Sequence, residues 1–596
     1  MGDRVIRIGG ASGYWGDSAM ATPQFLHAGG LDYIVFDYLA EITMSIMARA
    51  RAKDPAAGYA RDFVDPVLRY NLREIARQGV KVISNAGGVN PRACGEAVRA
   101  LVAEQGLDLT VAVVEGDDLM DRRADLAPRE MYSGDDFPAP DTVASVNAYL
   151  GAFPVARALD AGADIVITGR GVDSAVTLGA CVHEFGWAAD DWDRLAAGTL
   201  AGHILECGAQ ATGGNFTDWR AVPDIDNIGY PIAEIAADGT FDLVKPAGTG
   251  GLVTVGTVTE QLVYELDDPQ SYKVADVVCD FSAVRVVEAG EDRVRVSGAR
   301  GLPATDSYKV SATYRDGWRG GAFRPFVGVD ADDRAEAFAA AIFKRARTAL
   351  RASNLGDFTE TDVEVLGTES QYGEHGRVDR PREVVLKFAA KHPEAAGIAI
   401  LLKEATGLGL AKPAGGIAGF SGARSRPSPV VRLFSFLVPK DQVPIHVDLG
   451  DRRFHVPPAA TAVFDPAAVA RPAEPAAPDL GPDPVTVPLV DLAWARSGDK
   501  GDSANIGVIA RAPAYLPYIW AALTEDIVRD RFAHFLRGTV QRYLMPGPGA
   551  VNFLLREVLG GGGVASLRND PQGKGYAQIL LDHPIPVPRD VAEGLR

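Results

Sequence analysis

The densest group of residues that could do chemistry lies near the C-terminus, in the stretch ARSGDKGDSANIG at 495–507. The candidates for proton transfer are Asp499, Lys500 and Asp502, and the candidates for substrate binding are Arg496, Ser503 and Asn505. A solvated hairpin would explain the charges, but not so many small and hydroxyl-bearing residues beside them. General acid–base catalysis needs carboxyl or amine groups of shifted pKa at a binding site. We therefore interpret this stretch as a recognition or catalytic loop.

A second candidate stretch, GHILECGAQATGGNFT, occupies 202–217. If residues 194–207 form a helix, His203 and Cys207 lie one turn apart on the same face. An imidazole beside a thiol can lower the thiol pKa for nucleophilic attack, although a buried cysteine next to a structural histidine is the commoner arrangement. The stretch ends in a loop expected to contact a ligand, with Asn215 as a donor to a carbonyl oxygen and with Thr212, Gly213 and Gly214.

Glycine-rich segments follow several predicted strands and predict exposed backbone N–H groups that could bind a phosphate or a carboxylate. The binding candidates in these segments are Gly10, Ser12, Gly13, Asn85, Gly87, Gly88, Arg170, Asp173 and Gly250. Tight turns without a ligand, and a salt bridge between Arg170 and Asp173, are the alternatives. Neither G-x-G-x-x-G nor G-K-[ST] occurs at these glycines, so neither a dinucleotide fingerprint nor a P-loop is expected.

The segments that must position these residues alternate short apolar runs with helix-like stretches over residues 1–260. The apolar runs are VIRIGG, DYIVFD, KVISNAGG, LTVAVVEGDD and ADIVITGRG. Strand and helix in alternation predict an α/β fold with a mostly parallel, doubly wound sheet. Ligands bind beyond the carboxyl ends of such strands, so we expect the glycine-rich loops to converge.

The rest of the chain divides into three parts. An α+β extension over 261–455 completes a core of residues 1–455. From about residue 250, apolar and polar residues alternate with a period of two, which indicates mixed β structure. A long helix is expected at 382–408. Residues 456–486 are rich in Pro and Ala and are predicted to be a linker. Residues 487–596 predict a ferredoxin-like α+β sandwich, with a helix at 550–559 and a closing strand at 576–587.

Composition excludes several classes of protein. The 65 glycines among 596 residues exceed the usual ~7%, but no G-X-Y period marks a collagen. A net charge of −18 disfavours nucleic acid and anionic membranes as partners. The four cysteines form no C-x-x-C pair, which argues against zinc or iron–sulfur sites, and no metal site is predicted. The charged N-terminus and short apolar runs predict a cytoplasmic protein without a signal peptide or membrane helix.

At these motifs the chain resembles the acyclic terpene utilisation AtuA family over nearly its whole length. The matching stretches are IGGASGYWGDS, NAGGVNP, VITGRGVDSA, HILECGAQATGGNF, NIGYPIAEI, KPAGTGG and ARSGDKGDSANIGV. The resemblance implies an AtuA-like core followed by a ferredoxin-like domain, and it places the protein in catabolism that proceeds through branched acyl-CoA esters. It supplies no catalytic residues.

These observations favour an enzyme that acts on a branched-chain acyl-CoA or related carboxylate, with hydratase or carbon–carbon lyase chemistry and no redox cofactor. Coenzyme A is then expected as part of the substrate, and not as a tightly bound cofactor. A non-catalytic acyl-CoA-binding or scaffolding subunit for carboxylase or dehydratase partners is the alternative, and an acyl-transfer enzyme using Cys207 is a third. A homo-oligomer is also expected, because large metabolic enzymes commonly form symmetric assemblies.

Overall fold

A computed structural model describes residues 4–17, 19–126, 128–418, 424–459 and 462–595. Its first part alternates strands and helices, as the apolar runs predict. The elements are β1 (Val5–Gly10), α1 (Ala21–Ala28), β2 (Tyr33–Phe36), α2 (Glu41–Lys53), α3 (Arg69–Gln78), β3 (Lys81–Ser84), α4 (Pro91–Glu104), β4 (Val111–Glu115), β5 (Val143–Ala148), α5 (Phe153–Asp160), β6 (Ile165–Thr168), α6 (Ala175–Phe185), α7 (Trp192–Leu205), β7 (Ile232–Ala236), β8 (Phe241–Val244) and α8 (Val255–Leu262).

The middle part of the chain is richer in strands. Its elements are β9 (Tyr272–Lys273), β10 (Val278–Asp280), β11 (Arg285–Gly290), β12 (Arg293–Ser297), β13 (Arg300–Leu302), β14 (Ser307–Val327), α9 (Ala331–Ala352), β15 (Glu360–Leu366), β16 (Glu383–His392), α10 (Ala395–Gly407), β17 (Ser428–Pro439), β18 (Ile445–Asp448) and β19 (Arg453–Val456).

The C-terminal part follows an extended stretch of chain. Its elements are β20 (Val485–Pro488), α11 (Leu489–Leu492), β21 (Ala493–Lys500), β22 (Ser503–Ala510), α12 (Leu516–Ala522), α13 (Glu525–Arg531), β23 (Val540–Met545), β24 (Ala550–Leu555), α14 (Tyr576–Leu581), β25 (Pro584–Val587) and α15 (Arg589–Gly594). Among the helices in the described ranges, none is long and apolar enough to cross a membrane.

The large sheet is mixed, which corrects the expectation of a mostly parallel sheet. In the described chain its order is β11-β12-β8-β7-β1-β2-β3-β6-β4-β18-β19. Only the central run from β1 to β4 is parallel, and the strands on both sides of it pair antiparallel. Hairpins from later in the chain extend both edges of the parallel centre, and the short connections within β7–β8, β11–β12 and β18–β19 require antiparallel pairing inside each hairpin.

The central strands are buried on both faces. In β2, Tyr33 and Val35 belong to one apolar core, whereas Ile34 and Phe36 belong to the other. Because successive side chains point to opposite faces, each strand contributes to both cores. Helices α1, α3 and α4 cover one face, and α5, α6 and α7 cover the other.

One segment expected to be a strand is a helix, and part of one expected helix is a strand. The stretch around 255–262, which reads as period two, forms α8, because Thr254 makes a capping box with Thr257 and the helix is buried on nearly all sides. The helix expected at 382–408 is β16 followed by α10, since Glu383–His392 alternates between a charged face and an apolar one.

A four-stranded antiparallel sheet of order β21-β22-β24-β23 forms the C-terminal domain. Its elements follow one another as β-β-α-β-β-α, a permutation of the usual β-α-β-β-α-β order of ferredoxin-like folds. The helix expected at 550–559 is strand β24, and the closing strand expected at 576–587 is helix α14 followed by β25, which pairs with β20. Ala550–Leu555 is fully buried, and a continuous apolar run does not distinguish a strand from a helix.

Candidate active site

The loops after the parallel strands meet at one edge of the large sheet and hold a buried carboxyl group, Asp37. Ser12 Oγ donates to the Asp37 carbonyl at 2.9 Å, and Asn85 Nδ2 donates to Asp37 Oδ1 at 2.5 Å. Burial, followed by the nearby charge of Asp173, raises the pKa of Asp37 well above its usual range. Ser12 and Asn85, expected to bind substrate, therefore position a buried carboxyl group whose pKa is raised.

Arg170 follows β6 and forms a salt bridge with Asp173. This is the alternative that the sequence offered to binding of a ligand anion. Arg170 Nη1 donates to Asp173 Oδ1 at 2.6 Å and to the Leu39 carbonyl at 2.9 Å. Its guanidinium lies 4.2 Å from the centre of the Tyr149 ring, and the residue is 3% exposed. Arg170 is a fixed internal cation that faces Asp37 and Asp173.

Tyr149 links this cation to a second one, Lys309. The Tyr149 hydroxyl donates to Glu41 Oε1 at 2.5 Å, and Lys309 Nζ lies 4.8 Å from the centre of the Tyr149 ring. Burial alone would raise the pKa of Glu41, but Lys309, Arg170 and the Tyr149 hydrogen bond outweigh it and lower the pKa to about 2. Glu41 is therefore ionised at neutral pH.

The end of α7 places a histidine and a carboxyl group next to each other. His203 Nε2 donates to the Leu262 carbonyl at 3.2 Å, and Nδ1 lies 3.0 Å from Glu206 Oε1. Burial raises the pKa of Glu206, opposed by His203. The imidazole and the carboxyl group are thus joined by one hydrogen bond beside the strand ends.

Cys207 lies just beyond α7, and its surroundings oppose a thiolate. Burial, followed by the charges of Glu206 and Glu265, raises the pKa of the Cys207 thiol well above its usual range. His203 is bonded to Glu206 and Leu262 instead of activating the thiol. The nucleophilic role considered for Cys207 is therefore unsupported, since only the thiolate attacks.

The C-terminal domain closes the strand-end edge with the hairpin of β21 and β22. Side chains alternate along β21, so Arg496, Gly498 and Lys500 face the core, where Arg496 lies over Tyr264 and Lys500 over Tyr272. A Cβ on Gly498 would lie 2.6 Å from Glu265 Cγ. Glycine is thus required at this position for the hairpin to approach the end of α8.

Lys500 brings a positive charge to the buried carboxyl groups. Its Nζ lies 5.5 Å from the centre of the Tyr272 ring. Burial would lower the pKa of Lys500, but Tyr272, Glu265, Glu206 and Asp173 outweigh it and raise the pKa above its usual range. Lys500 therefore acts as a permanent cation at neutral pH and not as a base.

Asp499 lies beside this group and titrates near neutrality. Its Oδ1 accepts from Lys574 Nζ at 3.0 Å and from Gln572 Nε2 at 3.3 Å. Burial, followed by the charge of Glu265, raises the pKa of Asp499 to about 6, although Lys574 opposes the shift. Lys574 also binds Glu265 at 2.8 Å and holds the pKa of that carboxyl below its usual range against the effect of burial.

The other polar residues of 495–507 serve the structure of the domain and its docking. Asp502 Oδ1 accepts from the backbone N–H groups of Gly561 and Gly562 at 2.7 and 3.1 Å, so it points away from Lys500. Ser503 is buried and pairs with Lys500 across the hairpin. Asn505 Nδ2 donates to the Val263 carbonyl at 2.7 Å, which joins the hairpin to the end of α8.

Arg496 is a second link between the two domains. Its Nη1 donates to the Asn215 carbonyl at 2.5 Å, its Nη2 bonds Gln210, and it lies 3.6 Å from Glu260. Asn215 has a positive φ of 59°, is exposed, and donates through Nδ2 to Gln210 at 3.2 Å. Both residues expected to contact substrate thus hold the interface between the domains.

The glycines predicted to bind an anion have their N–H groups engaged inside the protein. Gly10 donates to Pro231, Gly87 to Thr168, Gly88 to Asn85, Gly213 to Gln210, Gly214 to Ala209 and Gly250 to Asn227, all through backbone carbonyls. Gly13 donates to Asp17 Oδ2, and Thr212 Oγ1 bonds Ala209 and Gly229.

Close packing explains the same glycines. A Cβ on Gly13 would lie 2.9 Å from Cys207 Cα, and one on Gly10 would lie 2.6 Å from the Leu205 carbonyl oxygen. These positions let the first strand-end loop approach the end of α7. The structure therefore assigns the glycines to packing around the polar cluster and not to an anion cradle.

Several members of the cluster escaped the sequence analysis. They are Asp37, Glu41, Glu206, Glu265, Tyr272, Lys309 and Lys574. Asp37 could have been found, because it directly follows the apolar run YIVF, as the other strand-end candidates follow theirs. Apart from Glu206, the others come from helix ends, a long strand and a loop that carry no motif.

These groups together form what we call the cleft cluster: Asp37, Glu41, Arg170, Asp173, His203, Glu206, Glu265, Tyr272, Lys309, Asp499, Lys500 and Lys574. It combines carboxyl groups whose pKa is raised by burial, a carboxyl with a pKa of about 6 and several fixed cations. Such an arrangement can donate a proton, accept one and stabilise a developing negative charge. Among the residues that the structure describes, no group of three or more His, Cys, Asp and Glu side chains could hold a metal ion.

Two family models match separate parts of the chain. Residues 6–449 match the acyclic terpene utilisation family protein AtuA, and residues 487–586 match the AtuA ferredoxin-like domain. The second match confirms the ferredoxin-like expectation for the C-terminal domain. No curated protein and no solved structure matches the chain. Because the first match alone spans more than half of the sequence, the chain belongs to the acyclic terpene utilisation AtuA family.

Proposed function

We propose that this protein is a lyase of branched-chain or terpenoid acid catabolism, which adds water to, or removes it from, an acyl-CoA or related carboxylate in the cleft cluster. The family is named for acyclic terpene utilisation, which is the coarser part of this proposal. The observation that carries the finer part is the meeting of buried carboxyl groups of raised pKa, a carboxyl with a pKa of about 6 and the fixed cation Lys500.

The residues can be assigned to the steps of a hydration. Asp499 takes a proton from water as the water oxygen bonds to the β carbon of a conjugated double bond. The electron pair of the double bond moves through the α carbon to the carbonyl oxygen, where the charge of Lys500 stabilises it. A protonated carboxyl, Asp37 or Glu206, then delivers a proton to the α carbon. One water is consumed, and dehydration reverses the same steps.

Carbon–carbon cleavage that leaves an enolate would use the same groups. In that reaction Asp499 takes a proton from a β-hydroxyl group, the bond between the α and β carbons breaks, and Lys500 stabilises the resulting enolate. Protonation of the α carbon by Asp37 or Glu206 completes the reaction. The two chemistries differ in their products alone, so product analysis separates them.

The scaffolding alternative has less support from the geometry. The sheet face of the C-terminal domain that could dock onto another protein is occupied by the core of the same chain, through Asn505, Asn552 and Arg496. Asp218 adds a bidentate ion pair to Arg511 at 2.6 and 2.7 Å. The domain thus completes a site within its own chain.

The test incubates the full-length protein with branched enoyl-CoA and hydroxyacyl-CoA esters and with the corresponding free acids, in water enriched in ¹⁸O. We expect one substrate to gain or lose a water, with the label in the hydroxyl product detected by mass spectrometry. Lys500→Met should abolish most of the turnover, whereas Lys403→Met, at an exposed position of α10, should not. If the wild-type protein converts no member of the panel and instead co-purifies with a separate enzyme, the scaffolding alternative replaces this proposal.

A further inference from the structure

The middle part of the chain contains a second ferredoxin-like unit, and its sheet has one open edge. β14, α9, β15, β16, α10 and β17 follow one another as β-α-β-β-α-β, and the strand order is β15-β16-β14-β17. In the described part of the chain, β15 pairs with β16 alone, and no strand covers its outer edge. This strand of seven residues offers backbone N–H and C=O groups to another strand, and proteins usually shield such an edge.

The two faces of β15 have different surroundings. Its acidic residues bind Lys387 and Lys391 on one face of the sheet, so these charges are paired within the chain. Val363 points to the opposite face, where α9 packs, and it is 42% exposed. Val363 is also the middle residue of β15, so two copies of the strand that pair antiparallel about Val363 overlap along their whole length.

A stripe of residues along α9 borders Val363 and is complementary in charge to a second copy of itself. Glu336, Ala340 and Lys344 are exposed and line the shallow groove between α9 and Val363. Among the residues that the structure describes, neither Glu336 nor Lys344 forms an ion pair or a hydrogen bond. Glu336 precedes Ala340 by four residues and Lys344 follows it by four, so all three lie on one face of the helix. A two-fold axis at Ala340 therefore brings Glu336 of each copy to Lys344 of the other.

The same symmetry extends to the next charged residues of the stripe. Asp333 precedes Ala340 by seven residues, and Arg347 follows it by seven. Asp333 is exposed, so it is accessible to a second copy. Arg347 binds Asp357 through Nε at 3.1 Å, which leaves its Nη groups for a carboxylate of that copy. The acidic start of α9 thus matches its basic end, and the small side chain of Ala340 lets two helices approach at the centre.

We propose that two copies of this chain form a symmetric dimer, in which β15 pairs antiparallel with β15 of the second copy and α9 packs against α9 of that copy. A two-fold axis perpendicular to the sheet joins the two sheets into one and keeps both α9 helices on the same face. Such an interface uses the same surface twice and must be complementary to itself, as the stripe on α9 is. None of these residues belongs to the cleft cluster, so the inference does not depend on the proposed function.

The experiment is sedimentation velocity on the full-length protein over a range of concentrations, which should show a species with twice the mass of one chain. Glu336→Lys and Lys344→Glu each place like charges opposite one another, twice in every dimer, and should each raise the dissociation constant about tenfold. The double variant Glu336→Lys/Lys344→Glu restores opposite charges and should associate within about threefold of wild type. Lys403→Glu, a charge reversal at an exposed position of α10, should leave the dimer unchanged.

A further variant tests the strand pairing. Val363→Lys places a charge at the centre of the edge strand, which opposes addition of another strand and should yield a monomer. Circular dichroism and thermal unfolding verify that every variant is folded. A wild-type protein that is monomeric at all concentrations overturns the inference, and so does a dimer that withstands Val363→Lys. A dimer that the single charge reversals weaken but the double variant does not restore also overturns it, because the two-fold arrangement requires that rescue.

Discussion

Two groups of buried charges in this protein differ in how completely they are paired. On one face of the sheet formed by β14, β15, β16 and β17, Lys387 bonds both Asp362 and Glu364, and Lys391 bonds Glu360 at 2.6 Å. In the cleft cluster, by contrast, Lys500 has no ion pair among the described residues, and Lys309 has a single long one. Both groups place lysines among carboxylates, but only in the first group does each lysine form a hydrogen bond with a carboxylate.

This difference in pairing distinguishes a group of charges that stabilises the fold from a group that we expect to bind substrate. In the sheet-face group, each cation has a carboxylate at hydrogen-bonding distance, so the group is complete without a ligand. In the cleft cluster, burial raises the pKa of Asp37 and Glu206, and the Lys500 ammonium group has no hydrogen-bond acceptor among the described residues. Ionisable groups with shifted pKa values are typical of catalytic sites. The free-energy cost of burying these groups is then offset when substrate binds. The predictions below test this contrast.

The largest effect on stability is expected for Lys387→Met. The substitution leaves Asp362 and Glu364 without their cation, which should lower the free energy of unfolding by about 3–5 kcal/mol. Chemical denaturation of the variant beside wild type measures this loss, and the turnover of the folded protein should be unchanged. A stable Lys387→Met protein would show that the sheet-face group does not need its central lysine.

Lys500→Met should have the opposite profile. We expect kcat to fall about 10²–10³-fold, the usual cost of removing one group that stabilises a developing oxyanion. The loss of stability should be smaller than that of Lys387→Met, because the Lys500 ammonium group forms no hydrogen bond or ion pair among the described residues. Kinetics and denaturation of the same preparation measure both quantities. A loss of stability as large as that of Lys387→Met would remove the contrast between the two groups.

Asp499→Asn should change the pH dependence of the reaction. Because the pKa of Asp499 is raised to about 6, wild-type kcat/KM should rise with pH through that value as the base loses its proton. The variant should lose this limb and about 10²-fold in rate.

The same shift predicts a stability effect whose sign is fixed. A carboxyl with a raised pKa stabilises the fold while it is protonated, and this contribution is present at low pH and is lost as pH rises through about 6. Asp499→Asn should therefore be no less stable than wild type at pH 8, as thermal unfolding at several pH values can measure. A variant destabilised at pH 8 would show that the ionised form of Asp499 holds the domain interface.

The smallest effect is expected for Cys207→Ala. Its thiol is held in the neutral form by burial and by Glu206 and Glu265, so kcat should change by about threefold or less. Steady-state kinetics, with thiol labelling of the wild-type protein as a control, measures this. Complete loss of turnover in a folded variant would restore the acyl-transfer hypothesis.

Particular residues show why the site was partly predictable. The strand-end rule identified Asn85, Arg170 and Asp173, because parallel strands place their carboxyl ends at one edge. Asp499 and Lys500 were found from local composition. The same composition also selected Asp502 and Arg496, which the structure uses for a turn and for domain docking. Composition names the polar residues of the hairpin, but their tertiary partners decide which of them join the cluster.

The sequence by itself determined the alternating core, the C-terminal domain and the family, because apolar periodicity and motifs are local properties of the chain. Only the tertiary structure decided that the glycines serve packing, that Cys207 stays a neutral thiol and that the charges of Glu206 and Glu265 act on Lys500. These outcomes depend on burial and on charges from residues hundreds of positions apart, and a pKa is set by that environment and not by the neighbours in sequence.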